Sequence, residues 1–443
     1  MYLPTDVRTC IDALEQAGFA AYAVGGCVRD SLLGLTPSDF DLCTAALPEQ
    51  TEAVFQDRKL VLAGKKHGTV GVVTDTGVVE ITTFRTEGEY RDNRHPEWVE
   101  FVTDVTGDLA RRDFTVNAMA WSPYRGFADP FGGQEDLKNG ILRAVGEPEL
   151  RFTEDALRIA RGVRFAVRFH LTPEKETEEA MQRLAPRLKK IAAERVFDEL
   201  CKLLPLMKER DLLRFAPILG EIIPELKPTF GYNQRNPHHA HDLFTHIAQV
   251  TAAVPPELPL RWAALLHDIG KPATSSIDEK GIAHYHGHAQ VSAEMAAVVL
   301  RRLKAPTQLR EQVVALIDQH MTYPIPDKKW LRRRLSRLGE ELLTQLLDLQ
   351  QADTGSKGTA NEGDWDYFRQ IHNILAEILA KNACLQIRDL AVNGHDLKSL
   401  GIQGRAIGQT LNCLLEAVID EQLPNEKTAL LAAVNHLQSE EMI

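Results

Sequence analysis

Residues 22–41 read YAVGGCVRDSLLGLTPSDFD and bring an apolar run, a glycine pair and two aspartates into one short stretch. Gly25 and Gly26 permit a tight turn from a strand into a helix, with bare backbone N–H groups at the turn. A helix that begins at Cys27 would add the positive end of its dipole, and Arg29 in its first turn could donate paired hydrogen bonds to phosphate. The stretch therefore predicts a phosphate-binding corner.

The two aspartates extend this prediction to a metal site. If Asp39-Phe40-Asp41-Leu42 forms a strand, both carboxylates share one face about 7 Å apart, while Phe40 and Leu42 point into the core. Such a pair suits one or two Mg²⁺ ions that bind a nucleoside triphosphate. Together with the glycine corner, the pair favours nucleotidyl transfer onto a hydroxyl. Glu80, in VEITTFR, is either a third carboxylate of this site or an ordinary strand residue.

The composition is typical of a soluble globular chain: 443 residues, 44% hydrophobic and 26% charged, a length that suits roughly three domains. The six cysteines show no C-x-x-C spacing, there is no signal-like start, and no run of 18 apolar residues occurs. We therefore expect a cytoplasmic protein with no membrane partner. The net charge of −11 argues weakly against nucleic acid, but basic stretches at 183–195 and 328–337 leave two interpretations open, an RNA-binding patch or a solvated helix face.

Helical and strand patterns alternate up to about residue 145, and the pattern is helical after that. The chain is thus expected to form an α/β head followed by all-α regions, divided at 1–145, 146–228, 229–350 and 351–443. The predicted helices of the head are 5–17 and 50–55, its strands are 20–24, 70–73, 78–84 and 98–102, and the polar segment 86–97 is interpreted as a loop.

A helix predicted from TEDALRIARGVRF, with Thr153 as its N-cap, carries Asp155, Arg158 and Arg161 at steps of three residues. A carboxylate accepts a hydrogen bond from an exocyclic amine, and a guanidinium donates one to the adjacent ring nitrogen. Cytosine and adenine both present this amine and ring nitrogen side by side. Guanine and uracil present the reverse pattern, at a cost of about 1–3 kcal/mol for each unpaired group. The pair Asp155–Arg158 therefore predicts selection of C and A, and an exposed salt-bridged helix face is the alternative.

The segment RRDFTVNAMA, which begins at Arg111, supplies two further candidates. A doubled arginine next to an aspartate is unusual before an apolar run. We expect Arg112 to bind phosphate or base, and Asp113 to accept a hydrogen bond from a ribose hydroxyl.

Six stretches in this order resemble the class II tRNA nucleotidyltransferases, which are the CCA-adding enzymes, and the related bacterial poly(A) polymerases. The resemblance implies a polymerase-β-like head in which Asp39 and Asp41 bind Mg²⁺, and a reaction that adds CCA to the 3′ end of tRNA from CTP and ATP. It implies nucleotide contacts from the Gly25-Gly26 corner, Arg29, Arg112 and Asp113, and base selection by Asp155 and Arg158. Arg161 and Arg164 match further nucleotide-binding arginines of the family. The resemblance also implies that residues 351–443 bind tRNA. The stretches are GGCVRDSLLG, DFD, VEITTFR, RRDFTVNA, DPFGGQEDL and EDALRIARGVRF.

Eight of the fifteen histidines lie between residues 238 and 288, and HDIGKP follows an apolar helical run. This region resembles an HD domain, a metal-dependent phosphohydrolase module found in some family members. The resemblance makes a second divalent metal, of unknown identity, an expectation. A module kept only for its structure is the alternative. The candidate ligands are His246, His267, Asp268 and His288, with Asp318 or His320 as a further candidate.

Three rival functions share parts of this pattern. A poly(A) polymerase or an enzyme that adds only A has every motif of the head. An HD phosphohydrolase whose head merely binds nucleotide needs only the histidine region, and a non-catalytic RNA-binding protein needs neither metal set. Intact Asp39, Asp41, Asp155 and Arg158 favour the CCA-adding interpretation.

Overall fold

The structure is a computed structural model that describes residues 1–87, 99–237, 240–359, 362–380 and 384–439. It separates into two compact units. Unit 1 comprises residues 1–207, 214–224 and 302–304, and unit 2 comprises residues 208–213, 225–301 and the chain from 305 onward. The division into four domains stays a prediction.

A seven-stranded mixed sheet forms the centre of the head in unit 1. Its order is β3-β4-β5-β2-β1-β8-β9, and only the β2–β5 pairing is parallel. Strands β6 and β7 pair separately, as do β10 with β11 and, in unit 2, β12 with β13. The strands are β1 Ala21–Val24, β2 Leu42–Thr44, β3 Leu60–Val61, β4 Thr69–Thr74, β5 Gly77–Thr83, β6 Arg85–Glu87, β7 Val99–Phe101, β8 Ala120–Ser122, β9 Gly126–Ala128, β10 Ile141–Leu142, β11 Thr172–Pro173, β12 Ser276–Ile277 and β13 Ala283–His284.

Helices account for most of the remaining described chain, as the sequence predicts. The first helix is amphipathic and buries Val7, Ile11 and Leu14, which recur at helical spacing. The helices are α1 Thr5–Gln16, α2 Gly26–Leu32, α3 Pro48–Val54, α4 Val105–Ala110, α5 Gly133–Lys138, α6 Pro148–Glu154, α7 Leu157–Arg168, α8 Lys175–Leu184, α9 Ala193–Leu203, α10 Glu209–Arg214, α11 Ala216–Ile222, α12 Leu243–Ala253, α13 Leu258–Leu266, α14 Lys271–Thr274, α15 His288–Arg302, α16 Thr307–Gln319, α17 Lys328–Leu338, α18 Glu340–Gly355, α19 Glu362–Ala380, α20 Gly394–Ser399, α21 Arg405–Ile419 and α22 Lys427–Ser439.

Three local predictions in unit 1 need correction. Asp39 to Asp41 precede strand β2 rather than lying in it, and Phe40 is only partly buried. The predicted loop 86–97 begins inside β6, while residues 88–97 lie outside the described residues. The helix predicted from Thr153 is two helices, because the backbone of Asp155 is extended (φ −137°, ψ 102°) between α6 and α7.

In unit 2, helix α13 packs against α12, α16 and α18. Its sequence LPLRWAALL is apolar nearly all round, which suits a helix surrounded by others, and Trp262 is fully buried there. No helix in the described part of the chain combines the length and the apolar character that crossing a bilayer needs.

The basic stretch 328–337 forms most of α17, and acidic side chains of unit 2 pair with several of its cations. These pairs link α17 to α19 and to the region around the end of α21, so much of the stretch serves contacts within the protein. The ion pairs are Lys328–Glu377 at 2.9 Å, Lys329–Asp420 at 2.9 Å, Arg332–Glu421 at 2.5 Å and Arg333–Asp420 at 2.6 Å.

Candidate nucleotide site and histidine cluster

The glycine corner joins β1 to α2 through Gly25, whose φ is +77°, a conformation that L-residues with a side chain rarely adopt. The Gly25 N–H donates to the Met119 carbonyl at 3.0 Å, which ties the corner to the segment after RRDFTVNA. A Cβ at Gly25 would lie 2.8 Å from Nη1 of Arg112. The guanidinium of Arg112 therefore lies directly against the corner, as the phosphate-binding prediction requires.

Arg112 has hydrogen-bonding capacity to spare. Its Nη2 donates to buried Asp108 at 3.2 Å, but its buried Nε has no hydrogen-bond partner among the described residues. An unused buried guanidinium donor beside a glycine turn is suited to an anionic ligand.

Arg29, by contrast, is buried and held by protein groups. Its Nε and Nη2 donate to Asp30 at 2.8 and 2.6 Å, and its Nη1 donates to Asn117. Burial lowers the pKa of Arg29, which Asp30 partly offsets. A phosphate contact by Arg29 stays a prediction, and it would use the second N–H of Nη1 or Nη2, because only three of the five guanidinium donors are engaged.

The acidic residues lie beside the same corner. Asp41 directly precedes β2, and the parallel register that pairs Leu42 with Ile81 makes Glu80 of β5 its cross-strand neighbour. Although Asp41 keeps an exposed surface, partial loss of hydration raises its pKa; the charges of Asp39 and Glu80 raise it further, and Arg112 opposes them. Asp39 is exposed and accepts from the Ser38 hydroxyl at 2.9 Å.

These carboxylates fit a divalent cation by their chemistry. Oxygen ligands are those that Mg²⁺ prefers, and a cation would relieve the repulsion among Asp39, Asp41 and Glu80. Among the described residues, these three do not form a group whose ligand atoms all lie within 4.8 Å of one another. Binding one ion through all three would therefore require a rearrangement of exposed side chains.

Buried Asp113 and partly exposed Arg161 form an ion pair that connects the head to α7. Oδ2 of Asp113 accepts from Nε and Nη2 of Arg161 at 2.8 and 2.7 Å, and Oδ1 accepts from Nδ2 of Asn117 at 3.0 Å. Burial favours a higher pKa for Asp113, but Arg161 and Asn117 outweigh it and lower the pKa to about 2. Asn117 thus bridges Arg29 and Asp113, a link that sequence reasoning missed because periodicity did not place Asn117.

The predicted base-reading residues are near each other in sequence but bond to other partners. Asp155 accepts from the Leu157 N–H at 3.0 Å and from Arg195 at 3.1 Å, so its carboxylate satisfies the backbone N–H of the first residue of α7. Arg158 donates to Glu154 at 2.8 Å and to the carbonyl of Arg111 at 3.0 Å. The base-selecting pair stays a prediction, and Glu154 and Arg195 are contacts that the sequence did not reveal.

An aromatic ring lies among the arginines of this site. The guanidinium carbons of Arg29, Arg161 and Arg164 lie 5.3, 5.2 and 4.5 Å from the centre of the buried Phe165 ring. Nε of Arg164 also donates to buried Glu199 at 2.6 Å. Sequence reasoning missed this arrangement, because Phe165 also fits the apolar side of a helix.

The histidine cluster of unit 2 comprises His246, His267, His288 and His320 with Asp268 and Asp353, all of them buried. Each ring faces a backbone carbonyl through Nδ1, which orients Nε2 toward the carboxylates. Of the two further candidates, His320 belongs to the cluster, whereas Asp318 is exposed and bonded to Gln319. His238 and His239 lie outside the described residues. The Nδ1 contacts are His246 to Ser356 at 3.2 Å, His267 to Ala264 at 2.8 Å, His288 to Tyr285 at 2.7 Å and His320 to Ile317 at 2.6 Å.

The histidines of the cluster differ in their pKa values. Burial lowers the pKa of His246, but Asp268 and Asp353 outweigh it and raise the pKa to about 9. Burial and the neighbouring His267 lower the pKa of His320 to about 4. Asp353 was not among the ligand candidates predicted from the sequence, because a lone aspartate in a leucine-rich helix gives no signal.

A cavity of about 500 Å³ opens onto the cluster. Lys271 and Lys357 line it, and their ammonium groups lie 2.7 Å from Asp268 and 3.0 Å from Asp353. Tyr285 and Tyr323 add aromatic surface to the wall. Cations and aromatic rings around a potential metal centre suit an anionic substrate with a planar group.

Comparison with known proteins identifies the family. The CCA-adding enzyme of Geobacillus stearothermophilus is 34% identical over 433 residues, covering 95% of this chain and 94% of its own length. The chain belongs to the CCA-adding enzyme family. A second family member, from Streptococcus gordonii, is 34% identical and covers 98% of both chains. The predicted resemblance to this family is thereby confirmed.

Family models and solved structures agree. The Poly A polymerase head domain matches residues 21–143, the probable RNA and SrmB-binding site of polymerase A matches 170–228, and the putative tRNA nucleotidyltransferase domain 2 matches 277–434. The Bacillus stearothermophilus CCA-adding enzyme in complex with CTP superimposes with a TM-score of 0.74 at 29% identity, covering 100% of both chains. The Thermotoga maritima CCA-adding enzyme complexed with tRNA_CCA shares the fold, with a TM-score of 0.60 at 22% identity and 98% and 96% coverage. The predicted fold class, a nucleotidyltransferase head followed by helical regions, is confirmed.

Proposed function

We propose that this chain adds CCA to the 3′ end of tRNA, using CTP and ATP without a nucleic-acid template. The observation that carries the proposal is the meeting of Asp39, Asp41 and Glu80 with Arg112 at the glycine corner, within a head that matches the family. The relative bound to CTP, at 29% identity over the whole chain, supports the same nucleotide for this head.

In the proposed reaction, Asp39 and Asp41 would hold Mg²⁺, which would lower the pKa of the attacking hydroxyl and neutralise the charge of the leaving pyrophosphate. Arg112 contributes its unused Nε donor to the triphosphate. The Asp113–Arg161 pair keeps α7 at a set distance from the corner, so that base and triphosphate are held together.

Base selection by Asp155 and Arg158 requires a change of partners. Asp155 would leave Arg195, and Arg158 would leave Glu154, to bond to the amine and ring nitrogen of C or A. In the free protein Asp155 is bonded to Arg195 and Arg158 to Glu154, and in the complex both would bond to the base. Neither residue is therefore left without a partner in either state.

The test supplies the purified chain with tRNA that lacks its terminal CCA and with each labelled nucleotide in turn. We expect incorporation of C and then A, and loss of incorporation in Asp41→Asn without a change in urea unfolding. Asp57→Asn, at an exposed turn of the same unit, is the matched control. Incorporation by Asp41→Asn at the wild-type rate would refute the metal role. Long A tails, or A alone on a substrate already ending in CC, would favour the poly(A) or A-only alternatives.

We also propose that residues 229–350 form an HD domain, and that its cluster, together with Asp353 three residues beyond this range, binds a divalent metal and hydrolyses phosphoesters. The convergence of histidine Nε2 atoms on Asp268 supports this second activity. Hydrolysis of bis(4-nitrophenyl) phosphate, measured with added Mn²⁺, Ni²⁺ or Zn²⁺, is expected to disappear in Asp268→Asn while CCA addition persists. If no metal supports turnover, the cluster has a structural role only. The domain boundaries after residues 145, 228 and 350 are part of the same proposal.

A further inference from the structure

The two basic stretches of the chain differ in how their cations are used. The stretch 183–195 of unit 1 carries five cations, and four of them bind groups of the same unit. Lys190 is the exception, since it has no acidic or hydrogen-bonding partner among the described residues. This stretch therefore serves contacts within the protein. Those contacts are Arg183–Glu149 at 2.7 Å, Lys189–Glu221 at 2.9 Å, Arg195–Asp155 at 3.1 Å and Arg187 to the carbonyl of Thr153 at 3.2 Å.

Helix α17 divides its six cations differently. Four of them form the ion pairs with α19 and with the end of α21 that are described above. Arg334 and Arg337 have no acidic partner within the part of the chain that the structure describes. Asp318, at the end of α16, is bonded to Gln319 at 2.7 Å and pairs with neither arginine. The helix therefore presents two cations that contacts within the protein do not neutralise.

Arg334 and Arg337 share one strip of the helix with Trp330. The three residues recur at steps of four and three, so their side chains lie next to one another along α17. The guanidinium carbon of Arg334 is 5.5 Å from the centre of the half-buried Trp330 ring, and its Nη2 donates to Oε1 of Gln319 at 3.1 Å. These two contacts hold the Arg334 guanidinium at a set position on unit 2.

Arg334 still has an unused donor. Its Nε is buried without a hydrogen-bond partner among the described residues. Partial loss of hydration lowers the pKa of Arg334, and the charge of exposed Arg337 lowers it further. Both effects disfavour the charged guanidinium, which an arginine nevertheless keeps at neutral pH. An anion beside the two guanidinium groups would supply the missing acceptor and offset their repulsion.

The chemistry of the strip fits the phosphates of a nucleic-acid strand. A guanidinium donates paired hydrogen bonds to phosphate oxygens. Side chains three residues apart on a helix begin about 5–6 Å apart, which lets two arginines reach neighbouring phosphates of one strand. Because the net charge of −11 opposes the binding of a polyanion, the chain needs a local group of unpaired cations to bind one.

We propose that Arg334 and Arg337 bind the sugar–phosphate backbone of the tRNA substrate, and that Trp330 holds Arg334 in place. This inference rests on the proposed function, CCA addition to tRNA. It goes beyond that function by assigning the RNA contact to these three residues, the α17 strip, which lies outside both the stretch 183–195 and the segment 351–443. A backbone contact carries no base information, so the strip contributes affinity for tRNA and no choice between CTP and ATP.

The test measures the affinity of the full-length chain for fluorescent tRNA that lacks its terminal CCA, by anisotropy at a series of KCl concentrations. Each phosphate contact contributes about 0.7–0.9 to the slope of log Kd against log salt concentration. We expect Arg334→Gln and Arg337→Gln each to lower the slope by about that amount and to weaken binding about tenfold at low salt. The double variant should lower the slope by about twice as much. Urea unfolding reports whether each variant is folded.

Arg333→Gln is the matched control. It removes the same charge from the same helix, but from an arginine that Asp420 already neutralises at 2.6 Å. Lys190→Gln tests the other basic stretch, and both variants should keep the wild-type slope. An unchanged slope in either strip arginine variant, or an equal loss in Arg333→Gln, would overturn the inference. A loss confined to Lys190→Gln would assign the RNA contact to residues 183–195 instead.

The positioning role of Trp330 has its own pair of variants. Trp330→Ala should weaken tRNA binding, and Trp330→Phe should restore most of the affinity, because phenylalanine keeps an aromatic face against Arg334. The same loss of affinity in both variants would contradict this role.

Nucleotide addition separates the α17 strip from the proposed function. In the strip variants KM for tRNA should rise, while KM for CTP and kcat at saturating tRNA stay at their wild-type values. If the variants lose slope as expected but the wild-type chain adds no nucleotide, the proposed function fails and the RNA contact stands. If the wild-type chain adds CCA and the strip variants keep its slope and its KM for tRNA, only the inference about α17 is refuted.

Discussion

Replacement of Asp113 by asparagine tests how strongly the head is tied to α7. The carboxylate is 7% exposed, and Arg161 and Asn117 lower its pKa from 3.8 to about 2. That difference corresponds to about 2 kcal/mol of stabilisation at neutral pH. We therefore expect Asp113→Asn to reduce the free energy of unfolding of unit 1 by about 2 kcal/mol at pH 7.

The pH dependence gives the sign of the effect. Because the folded pKa lies below the unfolded value, the stabilisation is present above pH 3.8 and is lost as the pH falls through about 2. About half of it remains at pH 3. The difference between wild type and Asp113→Asn should therefore shrink by about 1 kcal/mol between pH 5 and pH 3. Any constant clash of the new amide with Arg161 would not change over this range.

The assay is urea unfolding, followed by intrinsic fluorescence, at pH 7, 5, 4 and 3 for both proteins. Asp57→Asn again serves as the control, because Asp57 lies in an exposed turn of the same unit. A stability difference that stays constant from pH 7 to pH 3 would refute the reasoning, since it would mean that the charge of Asp113 does not stabilise the fold.

Three further substitutions test the nucleotide site. Asn117→Ala removes the bridge between Arg29 and Asp113, and we expect kcat/KM for CTP to fall about ten- to a hundredfold. Asn117→Asp should not restore the value, because an aspartate cannot donate a hydrogen bond to Asp113. An unchanged kcat/KM would contradict the bridging role. Arg158→Ala should reduce discrimination against GTP and UTP by about tenfold. The measurement is the ratio of kcat/KM values among the four nucleotides, and unaltered ratios would exclude base reading by this residue. Gly25→Ala should destabilise unit 1 by about 1–2 kcal/mol and raise KM for both nucleotides, because its Cβ would strain the left-handed turn and displace Arg112. A variant with the wild-type free energy of unfolding and wild-type KM values would contradict this.

Much of the head could be predicted because its signals are local. The amphipathic period of α1, the β4–β5 hairpin and the glycine corner depend on residues close in sequence, and all three are present in the structure. The predicted start of β2 was three residues too early, because the neighbouring strands determine where a strand begins. Here β1 still pairs with Asp41 through a single backbone hydrogen bond, while the side chains before it face solvent.

The sequence by itself determined which chemical groups this protein has: acidic residues beside a glycine turn, arginines along one helix, and histidines around HDIGKP. Only the tertiary structure decided their partners. Asp113 and Arg161 are 48 residues apart, and His246 and Asp353 come from different helices, yet each pair lies within 3.0 Å. Buried charges must find partners wherever the packed chain brings opposite groups together, and no periodicity along the sequence records that distance.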